Sequence, residues 1–307
     1  MFRKVLPLIL AICLISLVVV NCTFAVDQNK HINALCSFHP IYVFAQNVVA
    51  NSKNVTLDCL LPPNIGPHDY ALTPGDMKRL AKADLFIING LEVEEFLGKA
   101  VNEANPKLKV IDTSEGIKPI VTRGAEENHK EEHHGKYNPH IWASPKSAIM
   151  QVRNIQKVLS TADPANAGLY KSNADKYISK LQAIANDLTK ASKTFKNRKI
   201  VTFHDAFDYF ARDFGLEVVD VIEVIPGQEP SAGEMANIVK KVKESGVPAI
   251  FSEPQYSEKI ANVLAKEAGI SVYQLDPCHT GDAKPDAYER AMRKNLDVLK
   301  KALGGGK

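Results

Sequence analysis

The sequence predicts an α/β protein of two lobes, each a mainly parallel sheet flanked by helices, joined by one long rigid backbone helix. Three observations predict this. Short apolar runs alternate with segments of helical spacing through the first third of the chain, the pattern of parallel strands covered by helices on both faces. From Leu169 to Lys196 no Pro or Gly intervenes, and Tyr170, Ala174, Tyr177, Leu181, Ile184, Leu188, Ala191 and Phe195 recur at steps of four and three. Beyond that stretch the alternation restarts.

In order, Ala34–Phe38 is an apolar strand and Pro40–Val49 a helix. Val55–Leu61 is a strand that ends in the turn Pro62-Pro63-Asn64-Ile65-Gly66-Pro67. Thr73–Ala83 has helical spacing, with Thr73 as N-cap and Pro74 in the first position. Leu85–Asn89 is a buried strand, Glu92–Asn105 a helix and Lys109–Asp112 a strand. Asp163-Pro164 then caps a helix of about thirty residues, roughly 45 Å, with one apolar stripe along its length. That is more than one small domain needs, so it reads as a strut between lobes. After it come strands at Lys199–Phe203, Val218–Val224, Ala249–Ser252 and Ser271–Leu275. The helices between and after them are Ala206–Phe214, Gly233–Glu244, Ser257–Ala268 and Asp286–Ala302. The expected boundaries are a leader at 1–25, a first lobe at 26–163, the linking helix at 164–196 and a second lobe at 197–307.

A chain of 307 residues suits two lobes of ordinary size. The 45% apolar and 24% charged content is that of a soluble globular protein. Arg3 and Lys4 precede an almost wholly apolar run, Leu6–Val20, and Thr23-Phe24-Ala25 offers small residues at the spacing of a cleavage site, which together read as an export signal. The run has about fifteen residues, short of the roughly twenty a membrane helix needs, which disfavours an uncleaved anchor. Cys22 suggests a lipoprotein, but Asn21 occupies the place of the usual Gly, Ala or Ser, so lipid anchoring is the lesser expectation. Without Arg3 and Lys4, 36 basic side chains face 35 acidic ones. A nearly neutral chain with no run of Lys or Arg argues against a nucleic-acid partner. A monomer is expected. Export permits a Cys36–Cys59 disulfide, although small buried residues is the simpler reading of Cys36, Cys59 and Cys278.

Ligands of such sheets bind at the carboxyl ends of strands. His68 follows the turn after Val55–Leu61, and His140 lies in Tyr137-Asn138-Pro139-His140-Ile141-Trp142. His204 directly follows Lys199–Phe203, and Asp276 directly follows Ser271–Leu275. Three imidazoles and one carboxylate, two groups from each lobe, close a tetrahedral shell around Zn²⁺. No thiolate is demanded, and a set richer in carboxylates would suit Mn²⁺, the alternative ion. Glu253 also follows a strand on this side and is expected to support the cleft. His39 and His279 are lesser candidates. The polar segment 124–136, with His129, His133 and His134 among acids, reads as a mobile loop and a weak secondary zinc collector. A hydrolase would keep an open metal position; the sequence lacks H-E-x-x-H and G-x-S-x-G, and four ligands already fill the shell, so no enzyme is expected.

In combination and order, several stretches resemble the periplasmic zinc- and manganese-binding proteins of ABC importers. They are Pro67-His68-Asp69-Tyr70 with Thr73-Pro74, Ala83-Asp84-Leu85 with Asn89-Gly90-Leu91-Glu92, and Pro139-His140-Ile141-Trp142 with Pro145. In the second lobe they are His204-Asp205-Ala206-Phe207, Gln228-Glu229-Pro230-Ser231, Ser252-Glu253-Pro254-Gln255 and Leu275-Asp276-Pro277. The resemblance implies a two-lobed receptor that hands metal to a membrane permease, with His68, His140, His204 and Asp276 as ligands. It implies zinc over manganese, because the third ligand is His where manganese-type members tend to carry Glu. The chain departs from the pattern at Gly66, Ala71, Asn138 and Ser144, where the family often has acids.

Overall fold

A computed structural model describes residues 31–123, 135–222, 231–255 and 258–304. The first lobe is built on β1 (Ile32–Cys36), α1 (His39–Val49), β2 (Val55–Cys59), α2 (Pro74–Lys82), β3 (Leu85–Ile88), α3 (Ala100–Ala104) and β4 (Lys109–Asp112). Its four strands are parallel and ordered β2-β1-β3-β4. Thr73 caps α2 as read from the sequence: its hydroxyl accepts from Asp76 N–H while the Asp76 carboxylate accepts from Thr73 N–H at 2.7 Å. Two short antiparallel strands follow, β5 (Ile120–Val121) and β6 (Tyr137–Asn138), then α4 (Pro145–Ala162).

A 3-10 turn at Pro164–Asn166 leads into α5 (Ala167–Ser192). Its 26 residues span about 39 Å. The second lobe runs β7 (Lys199–Thr202), α6 (Asp208–Phe214), β8 (Glu217–Val221), α7 (Ala232–Ser245), β9 (Ala249–Ser252), α8 (Glu258–Ala268), β10 (Ser271–Gln274) and α9 (Ala287–Leu303). Its parallel sheet is ordered β10-β9-β7-β8. Read from the other edge, that is the winding of the first sheet, second strand beside first, then third and fourth.

The predicted stripe on α5 is buried, Tyr170, Tyr177, Leu181, Ile184 and Leu188 among it. It packs on α1 and α4 of the first lobe and on α6 and α9 beyond. One hydrophobic core therefore runs from Phe38 and Phe86 through α5 to Phe207, Phe251 and Leu275. A smaller cluster, with Val201, Phe203, Ile250 and Leu264, lies on the other face of the second sheet. A shared core resists wide relative motion, because exposing it would forfeit about 25 cal/mol per Å².

Two expectations differ from the fold. The helix expected at Glu92–Asn105 is a 3-10 turn, Glu95–Leu97, followed by the short α3. Leu91 and Glu92 both carry positive φ (54° and 68°), which no helix tolerates, and Gly98 turns the chain again at φ 47°. The 18-residue α4 has no counterpart in the sequence reading, although Ser144 caps it, Pro145 starts it, and Ala148, Val152, Ile155 and Leu159 are its buried face. Cys36, Cys59 and Cys278 are free thiols, and Cys36 and Cys59 are register partners on β1 and β2. Among the described residues no helix is long and apolar enough to cross a membrane. The leader read at 1–25 lies outside the described residues.

Candidate metal centre

Three loops carry the histidines. The backbone after β2 stays paired for two residues, Leu60 and Leu61 donating to Cys36 and Ser37 carbonyls. It then crosses the proline turn into a 3-10 turn, Pro67–Asp69, that presents His68. Arg79 ties this loop back by donating to the Cys59 and Leu60 carbonyls at 2.6 and 2.5 Å and to the Asp76 carboxylate. His140 follows β6 at the start of a 3-10 turn, Ile141–Ala143. Behind it, Trp142 Nε1 donates to Pro277 O at 2.8 Å and the Tyr288 hydroxyl donates to Trp142 O at 2.8 Å. The turn bearing His140 is thereby bonded to the loop bearing Asp276. His204 leaves the end of β7, its carbonyl accepting from Thr202 Oγ1 at 2.8 Å.

These loops bring His68, His140 and His204 together: one ring nitrogen from each lies within 4.8 Å of the others. His68 Nε2 and His140 Nε2 are 3.1 Å apart, and the ring centroids stand 4.5 to 5.5 Å from one another. His140 is fully buried, His204 partly buried and His68 exposed. Asp276 stands outside this trio. Its Oδ1 accepts from Cys278 N at 2.7 Å. Burial raises its carboxyl above the ordinary range; the Cys278 N–H opposes the rise and the Glu253 charge adds to it.

Two more carboxylates line the second-lobe side. Asp205 Oδ1 lies 3.3 Å from His204 Nε2 and 3.7 Å from His140 Nδ1. Glu253, fully buried, places Oε1 3.6 Å from His204 Nδ1. Neither oxygen accepts a hydrogen bond, and both are buried. A buried carboxylate oxygen without a donor is costly. Clustered imidazole nitrogens bordered by such oxygens fit a divalent cation. Glu253, expected to support the cleft, lies beside His204. Asp205 is given no role by the sequence reading beyond its place in His204-Asp205-Ala206-Phe207, and the available signal is a carboxylate directly after a candidate ligand. His39 is engaged with backbone instead, its two nitrogens 3.2 and 2.9 Å from the carbonyls of Cys278 and Asp282. Burial pushes His279 down to about 4. His129, His133 and His134 lie outside the described residues.

The model of one protein family, zinc-uptake complex component A, periplasmic (ZnuA), matches residues 35–302. The chain belongs to the ZnuA family. Its ZnuA-type sequence is 32% identical over 311 residues to the zinc-binding protein AdcA of Streptococcus pyogenes serotype M3, the match taking in 94% of this chain and 60% of that protein. The chain thus spans about 60% of the length of that relative. It is also 32% identical over 289 residues to the high-affinity zinc uptake system protein ZnuA of Bacillus subtilis, covering 90% of this chain and 89% of that one. The Zn(II)-bound ZnuA-like domain of Streptococcus pneumoniae AdcA aligns with a TM-score of 0.76 at 28% identity, over 90% of this chain and all of that domain.

Proposed function

We propose that this ZnuA-family chain is an extracytoplasmic zinc receptor that delivers its ion to the permease of an ABC importer, and that zinc is cargo, not a catalytic cofactor. One observation carries the reading. Three imidazoles from three separate loops, two in the first lobe and one in the second, converge to within 4.8 Å; His68 and His204 follow the parallel strands β2 and β7, at the ends where such sheets hold ligands, and His140 follows the antiparallel β6. Nitrogen-rich donor sets bind Zn²⁺ more tightly than Mn²⁺, which sets zinc first and manganese as its rival. The fourth ligand is Asp276. Its loop is bonded to the His140 turn, its carboxyl is partly buried, and a cation relieves its repulsion from Glu253. The units doing this work are a lobe at 26–163, a linking helix at 164–196 and a lobe at 197–307, behind an export leader at 1–25. The continuous core restricts capture to loop shifts and small tilts. The loaded form must differ from the empty one where the permease reads it.

A titration of the leader-free apo chain with zinc tests this, with manganese as competitor. One tight zinc per chain at neutral pH, poorly displaced by manganese, is the expected result. Absence of a tight 1:1 complex overturns the reading. Asp276→Ala should lose more affinity than Asp205→Ala or Glu253→Ala; the reverse order would move the oxygen ligand to another carboxylate. Ester hydrolysis by the zinc-loaded chain would overturn the assignment as a non-enzyme.

A further inference from the structure

We infer that Asn138 is the positioning residue of the centre: it fixes the tautomer of His140 and couples the His140 turn to the His204 loop. The inference rests on the zinc-receptor reading for its purpose, but its geometry stands on this chain alone. Asn138 is fully buried at the end of β6. Its backbone is held on both sides, by pairing with Ile120 and by the Tyr209 hydroxyl, which donates to Asn138 O at 2.7 Å and accepts from Ile120 N at 3.0 Å.

The orientation of its amide follows from partners that have only one role. His140 N–H, 3.0 Å away, can only donate, so the atom facing it is Oδ1. The carbonyl of Asp205, 2.8 Å away, can only accept, so the atom facing it is Nδ2. His140 Nδ1 lies 2.9 Å from that same Oδ1. An oxygen acceptor there requires Nδ1 to carry the proton, which leaves the lone pair of a neutral ring on Nε2, the atom 3.1 Å from His68 Nε2. A metal-binding imidazole is usually set in this way by an acceptor on its other nitrogen. On the opposite side Nδ2 also faces Asp208 Oδ2 at 3.3 Å and Asp205 Oδ2 at 3.5 Å. Asp205 adjoins His204, so one amide spans both lobes. A carboxylate at this position would keep the acceptor toward His140 but set a second oxygen against a carbonyl and two carboxylates.

The two arms separate by substitution. Asn138→Asp keeps the acceptor and loses the donor; Asn138→Leu loses both. The leader-free chain, ¹⁵N-labelled at histidine, is examined without metal by long-range ¹H–¹⁵N spectroscopy at about pH 8, where an ordinary imidazole is neutral, and then titrated with zinc. His140 should show the Nδ1–H form in the wild type and in Asn138→Asp, and the Nε2–H form in Asn138→Leu. Zinc affinity should fall roughly 10–100-fold in Asn138→Leu and by less in Asn138→Asp. Nε2–H on His140 in the wild type, or a switch to it in Asn138→Asp, overturns the inference. So does wild-type affinity in Asn138→Leu. Should Asn138→Leu fail to fold, the aspartate variant still decides. The metal-free signature is independent of cargo: Nδ1–H in a chain that binds no zinc would sink the receptor reading and leave the positioning intact.

Discussion

The two sides of the centre solve opposite problems. The first-lobe side offers nitrogen and satisfies its own buried acid: Glu94 accepts from the N–H groups of Asn89 and Gly90 at 2.7 and 3.1 Å. Asn89 in turn donates to Pro139 O at 2.9 Å, directly before His140. Gly90 is required there, because φ is 87° and a Cβ would collide with the Asp112 carboxylate. The second-lobe side crowds carboxylates around His204 and leaves Asp205 Oδ1 and Glu253 Oε1 without donors. One side is assembled before the ion arrives. The other carries buried negative charge that a cation offsets. The difference teaches that preorganisation and electrostatic demand are divided between lobes; in the proposed receptor, ion binding would make the two favour one arrangement.

The largest effect should come from breaking the assembled side. His140→Ala removes its most buried nitrogen and should weaken zinc binding by more than the roughly 100-fold upper range for losing an outer partner, read by competition against a chelator. Next comes the demanding side. Glu253→Gln replaces a buried carboxylate whose Oε1 accepts no hydrogen bond, so the metal-free chain should gain on the order of 1–3 kcal/mol. Zinc should then raise its Tm by less than it raises that of the wild type. A metal-free Glu253→Gln chain less stable than wild type would show that no such demand exists.

The division was only half legible in the sequence. His68 and His204 could be picked out because each follows a strand read from the sequence, and strand ends are where parallel sheets place ligands; His140 stood out only within its Asn138-Pro139-His140-Ile141-Trp142 stretch. The strut was legible because an uninterrupted stripe obeys a single period. Asp205 and the Asn138 bridge were not, since their meaning lies in contacts across the lobe boundary that no local spacing encodes. The helix expected at Glu92–Asn105 failed for a related reason: good helical spacing was overridden by the left-handed turn at Leu91 and Glu92 that brings Glu94 under Asn89. The helix Pro145–Ala162 was missed although its cap and stripe were in plain view.

A pH experiment sharpens the contrast further. Burial pushes Glu94 up to about 7 from 4.5, despite two backbone donors that favour its charged form. A carboxyl whose folded pKa is raised binds more protons folded than unfolded. Its contribution to stability is therefore fully present below about pH 4.5 and is lost as pH rises through 7. The wild type should lose up to about 3 kcal/mol relative to Glu94→Gln across that window, measured by denaturant unfolding of the metal-free chain. Equal slopes in the two proteins would mean that Glu94 is ionised throughout.

The smallest effect is expected at His133. In the proposed centre the folded loops hold the trio's nitrogens within 4.8 Å of one another, so little ordering entropy would remain to be lost on binding. The stretch Glu126–His134 around His133 holds no apolar residue, and a composition of that kind offers no buried surface to offset the cost of ordering a ligand, about 1–2 kcal/mol per residue fixed. His133→Ala should leave the tight site within about twofold of the wild type and remove only weak zinc bound beyond the first equivalent. A loss comparable with that of His140→Ala would place His133 on the primary ion and redraw the centre as one closed by the segment between the lobe's two ligand loops.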